Sequence, residues 1–332
     1  MAGITFSKSS NVNDSVFGKS QEPIKMFLEK KAEAFEANSV INKVFSMDTS
    51  NNAMEKYTSM TSMNGFQPVG EGGSYPNDEM QEGNSKVLEH VTWKDSFKIT
   101  QEMVEDSKTI DFKKAPTAFM NGYGRTREQF GAALIGGAIS GAAVNFAGSS
   151  FSTACADGKS LFAADHGAKL KGAAQSNKFA DAFSNDALTK LECRMQDFRD
   201  DNHNVLAVSP DIIVIPNIAS LKQNVFAAIG ADKDPATANN GFNFQFGRWT
   251  IVVWQYLNQF IAAGTAPWIL LDSTYNEEVG TAVWLDRVKL SVKSTVDDNT
   301  DNNVWRGRSR FIAGFKDWRG MAVSGVSGAT NL

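Results

Sequence analysis

The sequence predicts an α+β fold in which a long projecting hairpin precedes a long helix and an α/β unit follows. Three observations carry this. A period-two alternation of unusual length runs from Val87 to Thr100, a helical apolar face links Phe119 to Leu134, and beyond residue 180 short apolar runs bounded by Pro or Gly alternate with one-faced helices.

Taken in order, residues 1 to 22 are polar, with nothing to pack, and read as a segment that only a partner would order. Pro23 opens a helix, where its missing N–H costs nothing, and Ile24, Phe27, Leu28 and Phe35 share one face of it. After a break near Asn38, Val40, Ile41, Val44 and Phe45 form a second short stripe. The two pieces predict an arm (residues 1–50) too small to hold a core of its own.

From Asn51 the chain turns rich in Ser, Met, Asn and Gly, centred on GFQPVGEGGSYPND. Val87, Val91, Trp93, Phe97 and Ile99 then occupy odd positions, while His90, Thr92, Lys94, Ser96, Lys98 and Thr100 occupy even ones. Read as one strand, this stretch would reach about 45 Å, well beyond an ordinary strand of about six residues. Residues 51–98 are therefore expected to form an extended hairpin that gains its order on a neighbouring molecule.

Acids at Glu102, Glu105 and Asp106 suit a first helical turn. Pro116 restarts a helix of about 20 residues, and Phe119, Tyr123, Phe130 and Leu134 line one face of it. Thr126 with Gln129 would fit an alternative start as a capping box, and Gly136, Gly137 and Gly141 would end it. Leu188, Leu191, Met195 and Phe198 mark a further helix. Val205–Val208 and Ile212–Ile215 read as strands, and Pro216-Asn217 opens a helix closed by Gly230. Trp249–Leu257, Trp268–Leu271 and Ala282–Val292 read as strands. A polar turn then leads to a last strand with Trp305 and Phe311 on one face and Arg306, Arg308 and Arg310 on the other.

Composition bounds the function. The 332 residues are 42% hydrophobic and 21% charged, with a net charge of −4. That is ample for a core, and it argues against a dedicated nucleic-acid binder, which carries a basic excess. No run approaches the ~20 apolar residues of a membrane span; the Gly/Ala-rich stretch from Phe130 to Ala147 reads as tight packing. Cys155 and Cys193 stand in unrelated surroundings, which predicts free thiols in a reducing compartment.

Catalytic and metal signatures are missing. His90 falls on the wet face of the proposed hairpin, His166 follows Asp165 in a loop, and His203 sits in the turn-like DDNHN. None has a second ligand at metal spacing. GYGRTREQFG lacks the buried strand and the spacing of a phosphate loop, and ALIGGAISGAA lacks a βαβ setting. Cys155 has no base placed beside it. Alanine at Cys155, Cys193 or His166 is accordingly expected to cost little. No catalytic, cofactor-binding or metal site is predicted. The tryptophans read as core, and the three arginines as either a solvated face or bidentate partners for a neighbour's carboxylates.

The order and phrasing of these features resemble the HK97-fold major capsid proteins of tailed phages, and among them the Mu-like major head subunit group. VTWKDSFKITQEMVEDS resembles the family's passage from its extended loop into the spine helix, LFAADHGAK its short loop after that helix, SPDIIVIP its A-domain strand, and WRGRSRFIAGFKDWRGMAV the last strands of its P-domain. The resemblance covers nearly the whole chain. It implies an N-terminal arm (1–50), an extended loop (51–98), a P-domain with spine helix and sheet (99–181 and 286–332) and an A-domain (182–285). It further implies a virion protein, assembled in the host cytoplasm, that forms pentamers and hexamers around double-stranded DNA without reading its sequence. Scaffold, portal and decoration proteins are the implied partners, with no membrane involved. Phe27, Leu28, Val44, Phe45, Phe66, Trp93, Phe97, Arg306, Arg308 and Arg310 become the expected intersubunit contacts. Lys56 and Lys86 flank the hairpin, but nothing identifies a crosslinking partner for them. Two other readings stay open: an encapsulin-like compartment of the same fold, and a metabolic α/β enzyme with a swapped arm, which would need a deep pocket of convergent polar groups.

Overall fold

The structure is a computed structural model that describes residues 21–61, 63, 65–77, 80–100, 114–170, 172–230, 242–297, 300 and 302–332. The polar segment up to residue 20 and the acidic turn expected at Glu102, Glu105 and Asp106 lie outside the described residues.

The frame is a four-stranded sheet built on two long strands, β10 (Ala282–Asp297) and β11 (Asn302–Phe315). They pair antiparallel from Ala282 opposite Phe315 to Asp297 opposite Asn302, with irregularities on either side of Val288. β4 (Val91–Ile99) adds antiparallel to the outer edge of β11, and β1 (Ser46–Thr49) adds parallel to β10. Period-two alternation gives this sheet one apolar face, with Trp284, Trp305 and Phe311 fully buried.

Two expectations change here. The alternation from Val87 to Thr100 is divided at His90 into β3 (Glu82–Glu89), which pairs with β2 (Met54–Met60), and β4, which belongs to the sheet. The hairpin is therefore shorter than residues 51–98. Trp93 and Phe97, expected to meet a neighbour, already have partners on β11 in the same chain and stay half-buried. Trp93 stacks on Phe311 (centroids 5.0 Å, interplanar 10°) and Phe97 on Trp305 (5.1 Å, 7°). Cross-strand aromatic pairs of this kind are a main source of sheet stability.

The long helix α3 (Lys114–Ser140) lies across the apolar face. It is 27 residues long, with Pro116 in its first turn and Gly141 just past its end at φ +77, the left-handed conformation that glycine adopts without strain. The capping box at Thr126 is not used. Its Oγ1 donates to the Gly122 carbonyl (3.0 Å), and the helix runs through Gly136 and Gly137. Phe130, fully buried, touches Trp93, Trp284 and Phe311 at 5.4 to 6.0 Å.

The arm is part of the body. Helix α1 (Gln21–Ala37) crosses α3 where Gly124 removes the side chain that would strike the Phe35 ring. Leu28, fully buried, packs with Ala32, Phe119, Met120, Val292 and Trp305. The short helix α2 (Ile41–Val44) puts Ile41, Val44 and Phe45 into the main core, with Phe45 against Trp284 (5.9 Å) and Phe315 (6.3 Å). Leu28, Val44 and Phe45 thus have no surface left to offer another subunit, which corrects their place among the expected intersubunit contacts. Their stripes were too small for a core alone, and α3 supplies what they lacked. Phe27 is half-buried beside them.

The second sheet has the order β12-β9-β7-β8, formed by β7 (Ile212–Pro216), β8 (Thr250–Trp254), β9 (Trp268–Leu271) and β12 (Met321–Ser324). All residues of β7, β9 and β12 are buried, as continuous apolar runs require. Helices α4 (Asn185–Gln196), capped by Ser184 through the Ala187 N–H, and α5 (Ala219–Gly230) flank it, with α6 (Ser273–Val279) following β9. The chain's last strand pairs with β9 rather than extending the first sheet, so WRGRSRFIAGFKDWRGMAV serves both sheets. Val205–Val208 is not a strand: only an isolated bridge joins Arg199 to Val205, and Ala207 has φ +52. Trp249–Leu257 is β8 followed by a turn of 3₁₀ helix at Gln255–Gln259. A small hairpin, β5 (Val144–Phe146) with β6 (Ser149–Phe151), closes over Trp93 from the far side.

Candidate functional site

Two surfaces are left with unmet needs after the core is formed. The first is the β2–β3 hairpin. Its strands are paired to each other from Met54 opposite Glu89 to Met60 opposite Glu82. Its tip carries Phe66 and Tyr75 at full exposure, along with Met63, Val69 and Met80. In its own chain the hairpin is held by Lys169, which donates to the Glu82 and Gly83 carbonyls, and by Lys86, which donates to the Ala154 carbonyl (2.6 Å). An exposed aromatic at such a tip gains nothing in the isolated molecule.

The second is the outward face of the first sheet. Strand register places Lys293, Arg306 and Ser96 in one row, Ser291, Arg308 and Lys94 in the next, and Arg310 beside Thr92. Arg306, Arg308, Lys94, Lys98 and Lys293 are exposed and Arg310 is half-buried. Among the described residues none of them is in an ion pair.

His90 stands where the hairpin leaves the sheet, beside an open cleft of about 370 Å³ also lined by Lys86, Glu89, Ser150 and Ile312. It is buried, not on a wet face, and neither ring nitrogen has a partner among the described residues. Burial, reinforced by Arg287 and Arg310, pulls its pKa below the ordinary value of 6.5. A lowered folded pKa means that the unfolded chain binds the proton more readily. Stability from this group is complete above pH 6.5 and is lost as pH falls through the folded pKa. The melting temperature should therefore drop more steeply below pH 6.5 in the natural chain than in His90→Gln. Parallel slopes in a pH series of thermal melts would refute this.

A second depression of about 360 Å³ lies between the arm, β1 and β10, lined by Glu33, Asn42, Asp48 and Lys289 among others. Among the described residues no group of three or more His, Cys, Asp or Glu is placed to hold a metal ion. A phage capsid protein family matches residues 84–324, well over half of the chain. The chain belongs to that family. The fold agrees. The capsid of cyanophage P-SCSP1u superposes with a TM-score of 0.55 at 12% identity, covering 89% of each chain. The mature capsid of bacteriophage PhiM1 gives 0.53 at 9% identity over 88% of each chain. The capsid of Ralstonia phage GP4 gives 0.50 at 13% identity, over 85% of this chain and 86% of that one. These likenesses concern the HK97-type fold. No curated protein matches this capsid chain in sequence.

The residues that fasten this capsid fold are ones the sequence did not single out. Arg127 and Glu128, adjacent on α3 and both buried, point to different elements. Arg127 donates to both Asp286 carboxylate oxygens (2.9 and 3.0 Å) and to the Tyr123 hydroxyl (3.2 Å), which donates to Glu36 on α1 (2.8 Å). Its guanidinium lies over the Trp284 and Phe311 rings (4.8 and 5.1 Å). Glu128 accepts from the Ser39 hydroxyl and the Val40 N–H (2.9 Å), and from Trp254 Nε1 in β8 (2.8 Å). One helical step thus ties the arm and both sheets to α3. The only signal was a charged pair inside a helix that is otherwise apolar on that side.

His166 also has a larger structural role than its loop position suggested. Fully buried, it stacks on Trp318 (4.4 Å, 9°), with Nδ1 2.6 Å from Asp157 Oδ2 and Nε2 3.2 Å from Asn177 Oδ1. Asn177 in turn donates to the Leu161 and Met321 carbonyls (2.7 and 3.0 Å). His166→Ala should cost roughly 2–4 kcal/mol in urea unfolding, because it strands the buried Asn177 and the half-buried Asp157 and opens a gap against Trp318. A loss under 0.5 kcal/mol would return it to the status of an ordinary loop residue. Cys155 is buried, and burial raises its thiol pKa, so it is a packing residue; Cys193 is exposed and is not one.

Proposed function

We propose that this chain is the major subunit of a phage head and that its role is structural rather than catalytic. Copies form pentamers and hexamers that tile a closed icosahedral shell around double-stranded DNA. The observation that carries this is the β2–β3 hairpin, whose aromatic tip is built for a surface the subunit lacks. A shell of identical copies supplies that surface at every contact. The proposed division is an arm (1–50) packed into its own subunit, an extended loop, a P-domain (99–181 with 286–332) and an A-domain (182–285), with β12 crossing from the P-domain segment into the second sheet. The extended loop ends at His90, where the sheet takes over. Phe66 and the arginine face remain as proposed intersubunit contacts. The membership in the Mu-like head subunit group rests on the phrases quoted above.

Scaffold and portal proteins are the further partners proposed for assembly in the host cytoplasm, with decoration proteins on the finished shell. Among the described residues no helix is long and apolar enough to cross a membrane.

Negative-stain imaging of the expressed protein tests the reading directly, with shells or capsomer rings as the expected result. Free subunits should be cut by protease between Gly65 and Gly83, and assembled particles should resist. Single subunits at every concentration, cut no differently from any concentrated sample, would overturn it. Portal and terminase genes beside the coding sequence would distinguish a phage head from an encapsulin-like cargo compartment.

A further inference from the structure

The β2–β3 hairpin is thinly attached to its own body. Of the residues in its two strands only Leu88 is buried, packed over Gly314, where an added Cβ would strike the Leu88 side chain. The rest of the attachment is polar. Lys86 donates to the Ala154 carbonyl, Lys169 to the Glu82 and Gly83 carbonyls, and the Lys316 ammonium lies over the Tyr57 ring (4.2 Å). An element with so few apolar contacts opens at a small fraction of the free energy of global unfolding.

His90 is the single residue between β3 and β4, so it stands at the point where the hairpin leaves the sheet. Its backbone N–H donates to the Ala53 carbonyl (3.2 Å), but the residue is only 6% exposed and neither ring nitrogen has a partner among the described residues. Two half-buried cations face it, Arg287 on β10 and Arg310 on β11. The acids on the same side are Glu55 on β2 and Asp286 on β10, and both are engaged. Glu55 accepts from the Ser50 hydroxyl (2.6 Å) and the Asn52 amide (2.9 Å), and Asp286 is held by Arg127. On β3, Lys86 is turned to Ala154 and Glu89 is exposed to solvent; from the β5–β6 side the cleft is lined by Ser150, Phe151 and Ser152, which carry no charge. A proton on the His90 ring would thus meet two guanidinium groups and no buried carboxylate left to answer it.

We propose that His90 is a proton-operated hinge: the neutral ring packs into the root and keeps the hairpin against its own body, and the protonated ring releases it. In the attached form an imidazolium is desolvated between like charges, whereas in the released form it is hydrated. The released form therefore binds the proton more tightly, at the ordinary pKa, while burial and the two arginines lower the pKa of the attached form. Attachment is complete above the ordinary value of 6.5 and is lost as pH falls through the lowered one. One proton taken up about one pH unit below an ordinary imidazole pKa shifts the balance by at most about tenfold, which is enough to matter only for an element as weakly held as this one.

The test measures the distance from hairpin to body in free full-length subunits, so it does not depend on whether copies assemble. Nitroxide labels go on the natural Cys193, exposed on α4, and on an introduced Thr58→Cys, exposed on β2; Cys155 is buried. Pulsed electron paramagnetic resonance should show a second distance whose population rises roughly tenfold between about pH 7.5 and about pH 5.5. His90→Gln, which puts a neutral amide in the root, should keep the first distance at both values. His90→Arg, which fixes the charge, should show the second distance already at about pH 7.5, and if that variant does not fold, the glutamine comparison decides. An unchanged distribution with His90 in place overturns the proposal. So does an equal acid shift in His90→Gln, which assigns the response to another group. Loss of secondary structure by circular dichroism over the same pH interval also overturns it, because the proton would then unfold the body rather than free the hairpin.

Discussion

Arg127→Ala should destabilise the subunit by about 3–5 kcal/mol, a large part of the 5–15 kcal/mol that typically holds a domain together. The size follows from what remains behind. Asp286 is buried in the first sheet and takes two hydrogen bonds from Arg127; without them, the Trp284 Nε1 contact at 3.2 Å is what the structure offers its side chain. Tyr123 keeps its bond to Glu36 but loses the guanidinium beside it, and burial already holds its hydroxyl pKa well above the ordinary value. The cation over Trp284 and Phe311 is lost as well. Arg127→Lys should recover only part of the loss, since an ammonium cannot match the two-pronged geometry. The double variant Arg127→Met, Asp286→Leu should cost less than Arg127→Ala alone, because no buried charge is stranded. Chemical denaturation of the four proteins closes the cycle. A single-variant loss below 1 kcal/mol would mean that water reaches Asp286 and that the pair is not a structural fastener.

Removing residues 1–46 should prevent folding rather than only assembly. The cut takes Ile41, Val44 and Phe45 from the main core, Leu28 from the cluster around Trp305, and the Ser39 and Val40 groups from Glu128. Phe45→Ala by itself should cost about 3–5 kcal/mol, because the cavity would lie between Trp284 and Phe315, rings fixed by the sheet. Several such losses together exceed the stability of a typical domain. Met26→Ala, on the exposed side of α1, should be near neutral and serves as the control. A truncated protein that stays soluble with a cooperative thermal transition would show that the arm is an appendage after all.

Much of this was legible in the residues themselves. Period-two and period-3.6 patterns located β4, α3, α4, β7, β9 and both long strands, since which side of an element is apolar is written locally. The same patterns put Trp305 and Phe311 inward and the three arginines outward. Together with the order of the elements, they carried the resemblance to the capsid family, which the match over residues 84–324 bears out. Six of the seven tryptophans are buried, as their size favours, and only Trp93 keeps partial exposure.

Partner choice was not legible, because an apolar stripe reveals that it will be covered but not by what. Phe45 and Trp93 could have met a second copy, and the fold brought Trp284 and Phe311 to them first. His90 divides one alternating run between two sheets, a break that depends on where the pairing of β4 with β11 ends, at Val91 opposite Phe311, 220 residues away in sequence order. Arg127 and Asp286 are far apart in the chain and unremarkable singly, and only packing that excludes water makes them a unit. The sequence by itself determined which surfaces are apolar, basic or acidic; the tertiary structure alone decided which of them the subunit covers for itself and which it leaves bare, because burial is a property of the packed chain and not of any stretch of it.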